Sequence, residues 1–342
     1  MKIEELERTA RALVAKGKGI LAADESHPTV KKRFDTVGLE STEENRRKYR
    51  ELFLIAPGME EFISGVILFD ETIRQSAGDG RRFPAVLAAK SVIPGIKVDK
   101  GTTVIPGSPG ERVTNGLDGL RERLEEYRSL GARFTKWRAV IEIGPGTPSP
   151  YGISANAHAL ARFAALSQES GLVPIVEPEV LMDGDHDIAE CGRASEATLR
   201  TVFSELAEAG VVFEGMLLKP NMVLPGKRSP RQAGVEEVAL ATVQVLRRTV
   251  PAAVPGIVFL SGGQSAVMAT EHLNAMNGLG PHPWELSFSF ARALQGPALE
   301  AWKGKDANIA AAQAIFVHRA RCNGTARYGT YRKEMEEGAK AA

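Results

Sequence analysis

Short apolar runs rich in β-branched residues alternate with amphipathic stretches along the whole chain. The runs at residues 19–23, 65–69, 95–98, 134–140, 173–176, 215–218, 257–260 and 286–290 read as strands. Between them lie helical periods. Leu117, Leu120, Leu124 and Tyr127 form one, stopped by Gly131; Leu199, Val202, Phe203 and Leu206 form another, stopped by Gly210. Ser41-Thr-Glu-Glu44 reads as a capping box opening a helical stretch that runs to Pro57. Strands that are apolar almost throughout, with helices between them, argue for a parallel sheet covered on both faces. Eight such units predict closure into a (β/α)8 barrel. The rival is an open doubly wound sheet, but no Gly-x-Gly-x-x-Gly turn follows the first strand.

No short repeat or low-complexity segment divides the chain. The Gly/Pro-rich pieces at residues 101–116, 144–151 and 225–234 follow strand-like runs and read as loops, so residues 1–342 are expected to form one domain. From Asn323 the composition turns polar and charged, as in a mobile tail. Length permits a large core, and 43% hydrophobic with 25% charged residues is ordinary for a globular protein. Lys+Arg 43 against Asp+Glu 42 leaves a formal charge of +1, which gives no field to recruit nucleic acid or an acidic membrane. Cys191 and Cys322 have no metal or redox spacing and read as reduced thiols. No run approaches a membrane span, and the acidic start over residues 1–10 does not resemble a secretory or organellar signal, so a cytoplasmic location is expected.

The chemistry-bearing residues gather at the carboxyl ends of the strands. Met216, Leu217 and Leu218 want a buried strand, and Pro220 forbids its continuation, so Lys219 is aimed out of the end of a packed element. Desolvation and neighbouring cations turn such an ammonium into an amine nucleophile; the plainer reading is a lysine that snorkels to solvent. The first strand ends in Asp24, Glu25 and Ser26. The third gives Lys97 and Asp99, the fourth Lys136 and Arg138, the fifth Glu177 and Glu179. Each i, i+2 pair points to one face of the sheet. If that face is the barrel interior, charges of both signs converge on one mouth and need partners or a task.

Ser261-Gly262-Gly263 follows an apolar strand. Two glycines let backbone N–H groups converge on an anion, although Gly-Gly after a strand is also a plain turn. Ser289 with Arg292, at the eighth strand, strengthens the phosphate reading because a guanidinium matches phosphate oxygens. Ser26, Arg33, Lys97 and Arg138 offer a second anion site, or act singly as surface or packing residues. Asp183-Gly-Asp-His-Asp187 resembles a calcium loop but has Ile188 where glycine is needed and Ala194 where a bidentate acid is needed, so it reads as a solvated loop capping the next helix. The six histidines show no ligand pair at helical spacing. His158 reads as structural, and His27 is a candidate to line the pocket.

These residues resemble the class I, Schiff-base fructose-1,6-bisphosphate aldolases. The strings that carry the resemblance are Gly17-Lys-Gly-Ile-Leu-Ala-Ala-Asp-Glu-Ser26, Gly95-Ile-Lys-Val-Asp-Lys-Gly101, Lys136-Trp-Arg138, Pro174-Ile-Val-Glu-Pro-Glu179, Leu217-Leu-Lys-Pro-Asn-Met-Val223 and Phe259-Leu-Ser-Gly-Gly-Gln-Ser265, in family order and spacing. The resemblance implies a TIM barrel with an N-terminal helix, no metal or other cofactor, a phosphorylated sugar substrate and a homotetramer. It implies the aldol cleavage of glycolysis and its reversal in gluconeogenesis. It assigns Lys219 as the imine-forming lysine, Glu177 as the acid/base of carbinolamine dehydration, Asp24 as acceptor of the hydroxyl proton, and Lys136 with Glu179 as auxiliary charges. It places Ser261, Gly262, Gly263, Ser289 and Arg292 on the phosphate of the ketone half. Ser26, Thr29, Arg33, Lys97 and Arg138 fall toward the aldehyde half. The chemistry agrees, since cleavage beside a ketone needs an electron sink such as a protonated imine, and dehydration needs a carboxyl whose pKa burial has raised.

Three departures from the family pattern stand out. His27-Pro28-Thr29 follows Ser26 where Thr-Gly-Ser is common, which predicts a stiffer segment that keeps a hydroxyl. Ser289-Phe-Ala-Arg292 replaces Ser-Tyr-Gly-Arg, removing a phenol and adding a methyl near the anion. The chain ends at Ala342, without the terminal tyrosine of the animal enzymes, with Tyr328 and Tyr331 upstream; slower enamine protonation or a different proton donor is expected. Two other functions fit the same residues: an imine-forming aldolase for another ketose bisphosphate, and a barrel scaffold without catalysis.

Overall fold

The computed structural model describes residues 2–108 and 110–340; Met1, Pro109 and the expected tail's last residues, Ala341 and Ala342, lie outside them. In chain order the elements are α1 (Ile3–Leu13), β1 (Gly19–Ala23), α2 (His27–Asp35), α3 (Glu43–Leu54), β2 (Ile63–Leu68), α4 (Asp70–Arg74), α5 (Phe83–Ala89), β3 (Ile93–Lys97), β4 (Thr102–Val104), β5 (Arg112–Thr114) and α6 (Leu120–Ser129). They continue as β6 (Phe134–Ile141), α7 (Pro150–Glu169), β7 (Val173–Val180), α8 (Ile188–Glu208), β8 (Leu217–Leu218), α9 (Val235–Thr249), β9 (Gly256–Phe259), α10 (Ala266–Gly278), β10 (Glu285–Phe290), α11 (Arg292–Trp302) and α12 (Ile309–Ala326). Eight parallel strands close in the order β1-β10-β9-β8-β7-β6-β3-β2, as the alternation of the sequence predicts.

The interior of the barrel has an apolar floor and a charged mouth. Ile20, Ala22, Ile67, Phe134, Val173, Ile175, Leu217 and Val258 pack together with Leu6, Ala10, Leu13 and Val14, so α1 and the residue after it close the amino-terminal end. Two strand glycines make that closure possible. A Cβ on Gly65 would lie 2.6 Å from Leu13, and one on Gly256 would lie 2.6 Å from Val14. Continuing two residues at a time from these floor positions leads to Asp24, Lys136, Glu177 and Lys219. The outward strand faces and the helices form the larger core, which includes Trp137, Phe163, Tyr49 and Trp302.

Several local expectations need correction. The segment 101–116 is not a plain loop: β4 and β5 form an antiparallel hairpin with Thr102 opposite Thr114. The cap of α3 is Thr42, whose hydroxyl accepts from the Asn45 N–H at 3.1 Å, because Glu44 pairs with Arg47 instead of reaching back to Ser41. Asn323 is not the start of a mobile tail. It is fully buried inside α12, accepts from the Thr270 hydroxyl at 2.8 Å, and is followed by the buried Arg327. Polar composition misled here because these polar groups have internal partners.

Candidate active site

Lys219 leaves the end of β8 with its N–H donating to the Val176 carbonyl at 2.8 Å, so its Cα is fixed by the sheet. Its Nζ stands 3.1 Å from Glu177 Oε1. Lys136 Nζ lies 2.7 Å from Asp24 Oδ2 and 3.0 Å from Glu177 Oε2. Each of these four side chains is at least nine-tenths buried. Two ammonium groups and two carboxylates thus alternate across three adjoining contacts, which is the compensation that buried charges require.

The electrostatics are specific. Burial alone would raise the Glu177 carboxyl, but the charges of Lys136, Lys219 and Arg138 outweigh it and hold the group below its usual range. This corrects the expectation of a carboxyl raised by burial: the two adjacent cations dominate before substrate arrives. Asp24 is likewise held far below the carboxylate range, with Lys136 and Lys219 overcoming its desolvation. Lys136 is pushed well above an ordinary lysine because Asp24 and Glu177 outweigh its burial.

Around this group a cavity of ≈ 1210 Å³ opens at the carboxyl ends of the strands. Every predicted site residue lines it except Gly263: Asp24, Ser26, Thr29, Arg33, Lys97, Lys136, Arg138, Glu177, Glu179, Lys219, Ser261, Gly262, Ser289 and Arg292. Ser26 precedes α2 and its hydroxyl lies 3.2 Å from that of Thr29; Pro28 sits in the first turn, so the altered segment is helical. His27 is not part of the lining and stands 3.3 Å from Glu71. Arg138 pairs with Glu179, and Lys97 with Asp99. Arg33 donates to Glu25 and to Gln295.

On the other side, Gly262 and Gly263 have φ of 55° and 88°, a backbone that side chains rarely adopt. The Ser289 hydroxyl is buried and has no hydrogen-bond partner among the described residues. Arg292 begins α11, so the positive end of that helix meets the same wall. Ala291 also lines the cavity, whereas the Phe290 ring is fully buried against Phe288.

Three groups escaped the sequence reading. Arg50 holds the Glu25 carboxylate and donates to the Glu25 carbonyl at 3.0 Å; an arginine among Tyr49, Leu52 and Phe53 on a helix was its signal. Gln295 accepts from Arg33 and donates to the Ala22 carbonyl at 3.0 Å. Lys227 reaches Gly263 from a loop, with no local signal in the sequence. Asp183 pairs with Lys227 at 2.7 Å, while Asp187 and Glu190 form the helix cap expected of that segment. Neither Tyr328 nor Tyr331 lines the cavity. Tyr328 stacks near Lys16 and Gly17 before β1, at the opposite end of the barrel, and Tyr331 donates to Glu336.

Residues 5–342 match the family model described as fructose-bisphosphate aldolase class-I. A probable fructose-bisphosphate aldolase class 1 of Xanthomonas campestris is 59% identical over 333 residues, covering 97% of this chain and 100% of that protein. The fructose-bisphosphate aldolase of Dictyostelium discoideum is 52% identical, with 98% and 95% covered. Among solved structures, the aldolase of Plasmodium falciparum, in a ternary crystal with TRAP and a small-molecule inhibitor, superposes with a TM-score of 0.95. It is 50% identical, with 96% of each chain covered.

Proposed function

The chain belongs to the class I fructose-bisphosphate aldolase family, and from that premise we propose that it cleaves fructose 1,6-bisphosphate reversibly through an imine on Lys219. The products are dihydroxyacetone phosphate and glyceraldehyde 3-phosphate. The observation that carries this reading is the 3.1 Å contact of Lys219 Nζ with Glu177, beside Lys136, at the inner end of a charged cavity.

Glu177 begins as a carboxylate and takes a proton from the Lys219 ammonium, freeing the amine to attack the C2 carbonyl. Once Lys219 is a neutral carbinolamine nitrogen, one of the charges that held Glu177 low is gone. Glu177 then returns the proton to the departing hydroxyl, and water leaves as the imine forms. Asp24, kept ionised by Lys136, accepts the C4 hydroxyl proton as the C3–C4 bond breaks. The bonding pair passes into the iminium as an enamine, and the aldehyde half departs. Protonation of C3 and hydrolysis restore Lys219.

Ser261, Gly262, Gly263, Ser289 and Arg292 take the phosphate of the ketone half; the orphaned Ser289 hydroxyl supports the assignment. Ser26, Thr29, Lys97 and the partly exposed Arg138 serve the other phosphate, with Arg33 adding charge from behind its Glu25 pair. The family resemblance supports a homotetramer, and light scattering measures it. A cytoplasmic location fits two free cysteines and the absence, among the described residues, of a helix long and apolar enough to cross a membrane. The test of the mechanism is Lys219→Ala: it loses cleavage while keeping the native circular dichroism, and retained turnover would contradict the proposal.

A further inference from the structure

Gly263 has no Cβ, yet the point where one would sit is informative. It lies 3.1 Å from Arg292 Nη2 and also 3.1 Å from Lys227 Nζ. Two cations from separate segments, one opening α11 and one in the loop after β8, therefore come close to the same point. Cations repel one another, so such convergence calls for an anion between them or beside them. Asp183 supplies part of that charge: its Oδ1 is 2.7 Å from Lys227 Nζ. It does not neutralise both, and among the described residues Arg292 has no acidic partner within salt-bridge distance.

The lysine is held in place by backbone. Gly226 donates to the His186 carbonyl at 2.9 Å, Lys227 to Met182 at 2.8 Å and Arg228 to Gly184 at 2.8 Å. The two segments approach so closely that a Cβ on Gly226 would lie 2.5 Å from the Gly184 oxygen. This fixes the Cα from which the lysine side chain reaches toward Gly263. Its side chain is 44% exposed, and that of Asp183 is 61% exposed, so the pair itself contributes little to stability.

We infer that Lys227 is a substrate-binding residue: it contacts the phosphate of the ketone half together with Arg292, and Asp183 competes with that phosphate for its amine. This rests on the aldolase reading of the site and adds to it a cation and a competing carboxylate. The ammonium interacts with a phosphate dianion as a point charge, without touching the reacting carbons. Its influence therefore falls on binding and leaves the chemical step alone.

The test compares wild type with Lys227→Met, Lys227→Arg and Asp183→Asn. With fructose 1,6-bisphosphate and with fructose 1-phosphate, Lys227→Met raises KM about tenfold and leaves kcat within about twofold, and Lys227→Arg restores most of the loss. Asp183→Asn moves KM the opposite way, downward by about two- to threefold, because the amine is released to the phosphate. A merely structural pair would make both substitutions act in the same direction, so parallel changes, or an unchanged KM in Lys227→Met, would overturn the inference. Calorimetry with inorganic phosphate needs no turnover and separates the two claims. Tighter phosphate binding by wild type than by Lys227→Met supports the contact even if cleavage fails, and equal binding refutes it even if cleavage succeeds.

Discussion

Replacing Lys136 by methionine tests the charge network most severely. The substitution keeps the side chain's length and removes one cation that stands 2.7 Å from Asp24 and 3.0 Å from Glu177. A pair of unit charges at 4 Å and an effective dielectric near 20 interacts by about 4 kcal/mol. Removing one partner of a buried pair costs about 3–5 kcal/mol, because the other charge is left uncompensated. The loss depends on pH in a defined sense. In wild type, Asp24 and Glu177 have depressed pKa values, so their stabilisation is present above the ordinary carboxylate range of about 4 and is lost as pH falls through the depressed values. In the variant the principal depressing charge is gone, so both carboxyls titrate above their wild-type values, with Lys219 still facing them. The variant therefore keeps less of the stabilisation that wild type gains as pH rises toward the ordinary carboxylate range. The gap between the two proteins widens as pH rises from the depressed values through about 4. Urea unfolding followed by tryptophan fluorescence, at fixed protein concentration across that range, measures it. A gap below about 1 kcal/mol at pH 7, or one that does not change with pH, would refute the reasoning.

Ser289→Ala breaks no hydrogen bond among the described residues, so thermal stability changes by less than about 0.5 kcal/mol, while KM for fructose 1,6-bisphosphate rises about fivefold or more; an unchanged KM counts against Ser289 as a phosphate ligand. Arg50→Met leaves the buried Glu25 carboxylate with Arg33 alone and lowers stability by about 3 kcal/mol, seen as a fall in Tm that Glu25→Gln in the same chain partly reverses. No reversal would mean that the arginine acts through packing.

The sequence reveals the barrel because its strands are short and apolar, with their charged residues confined to one end. It reveals the site because i, i+2 spacing places Lys136 with Arg138, and Glu177 with Glu179, on the inner face. Strand boundaries were less legible. β7 runs through Pro178, where a proline in a central strand argues for an end. Val176 accepts from Lys219 and Val180 donates to the Asn221 side chain, so Pro178 faces the β8 side, where the ladder has already stopped and its missing N–H costs nothing. The hairpin at β4 and β5 lay hidden in a Gly-rich segment because its pairing is sealed by distant contacts, including Thr114 to the Arg138 carbonyl at 2.8 Å. Lys227 was invisible for the same kind of reason: the backbone bonds that hold it join residues 40 or more positions apart. The depressed Glu177 carboxyl could be read from three-dimensional neighbours alone, since burial and adjacent cations act in opposite directions and only distances decide between them.

The most direct measurement of the central claim is intact mass after incubation with dihydroxyacetone phosphate and borohydride in EDTA, followed by peptide mapping. One reduced adduct per chain, located on Lys219, is the predicted result. A folded protein that forms no adduct, or forms it on another lysine, would contradict the account.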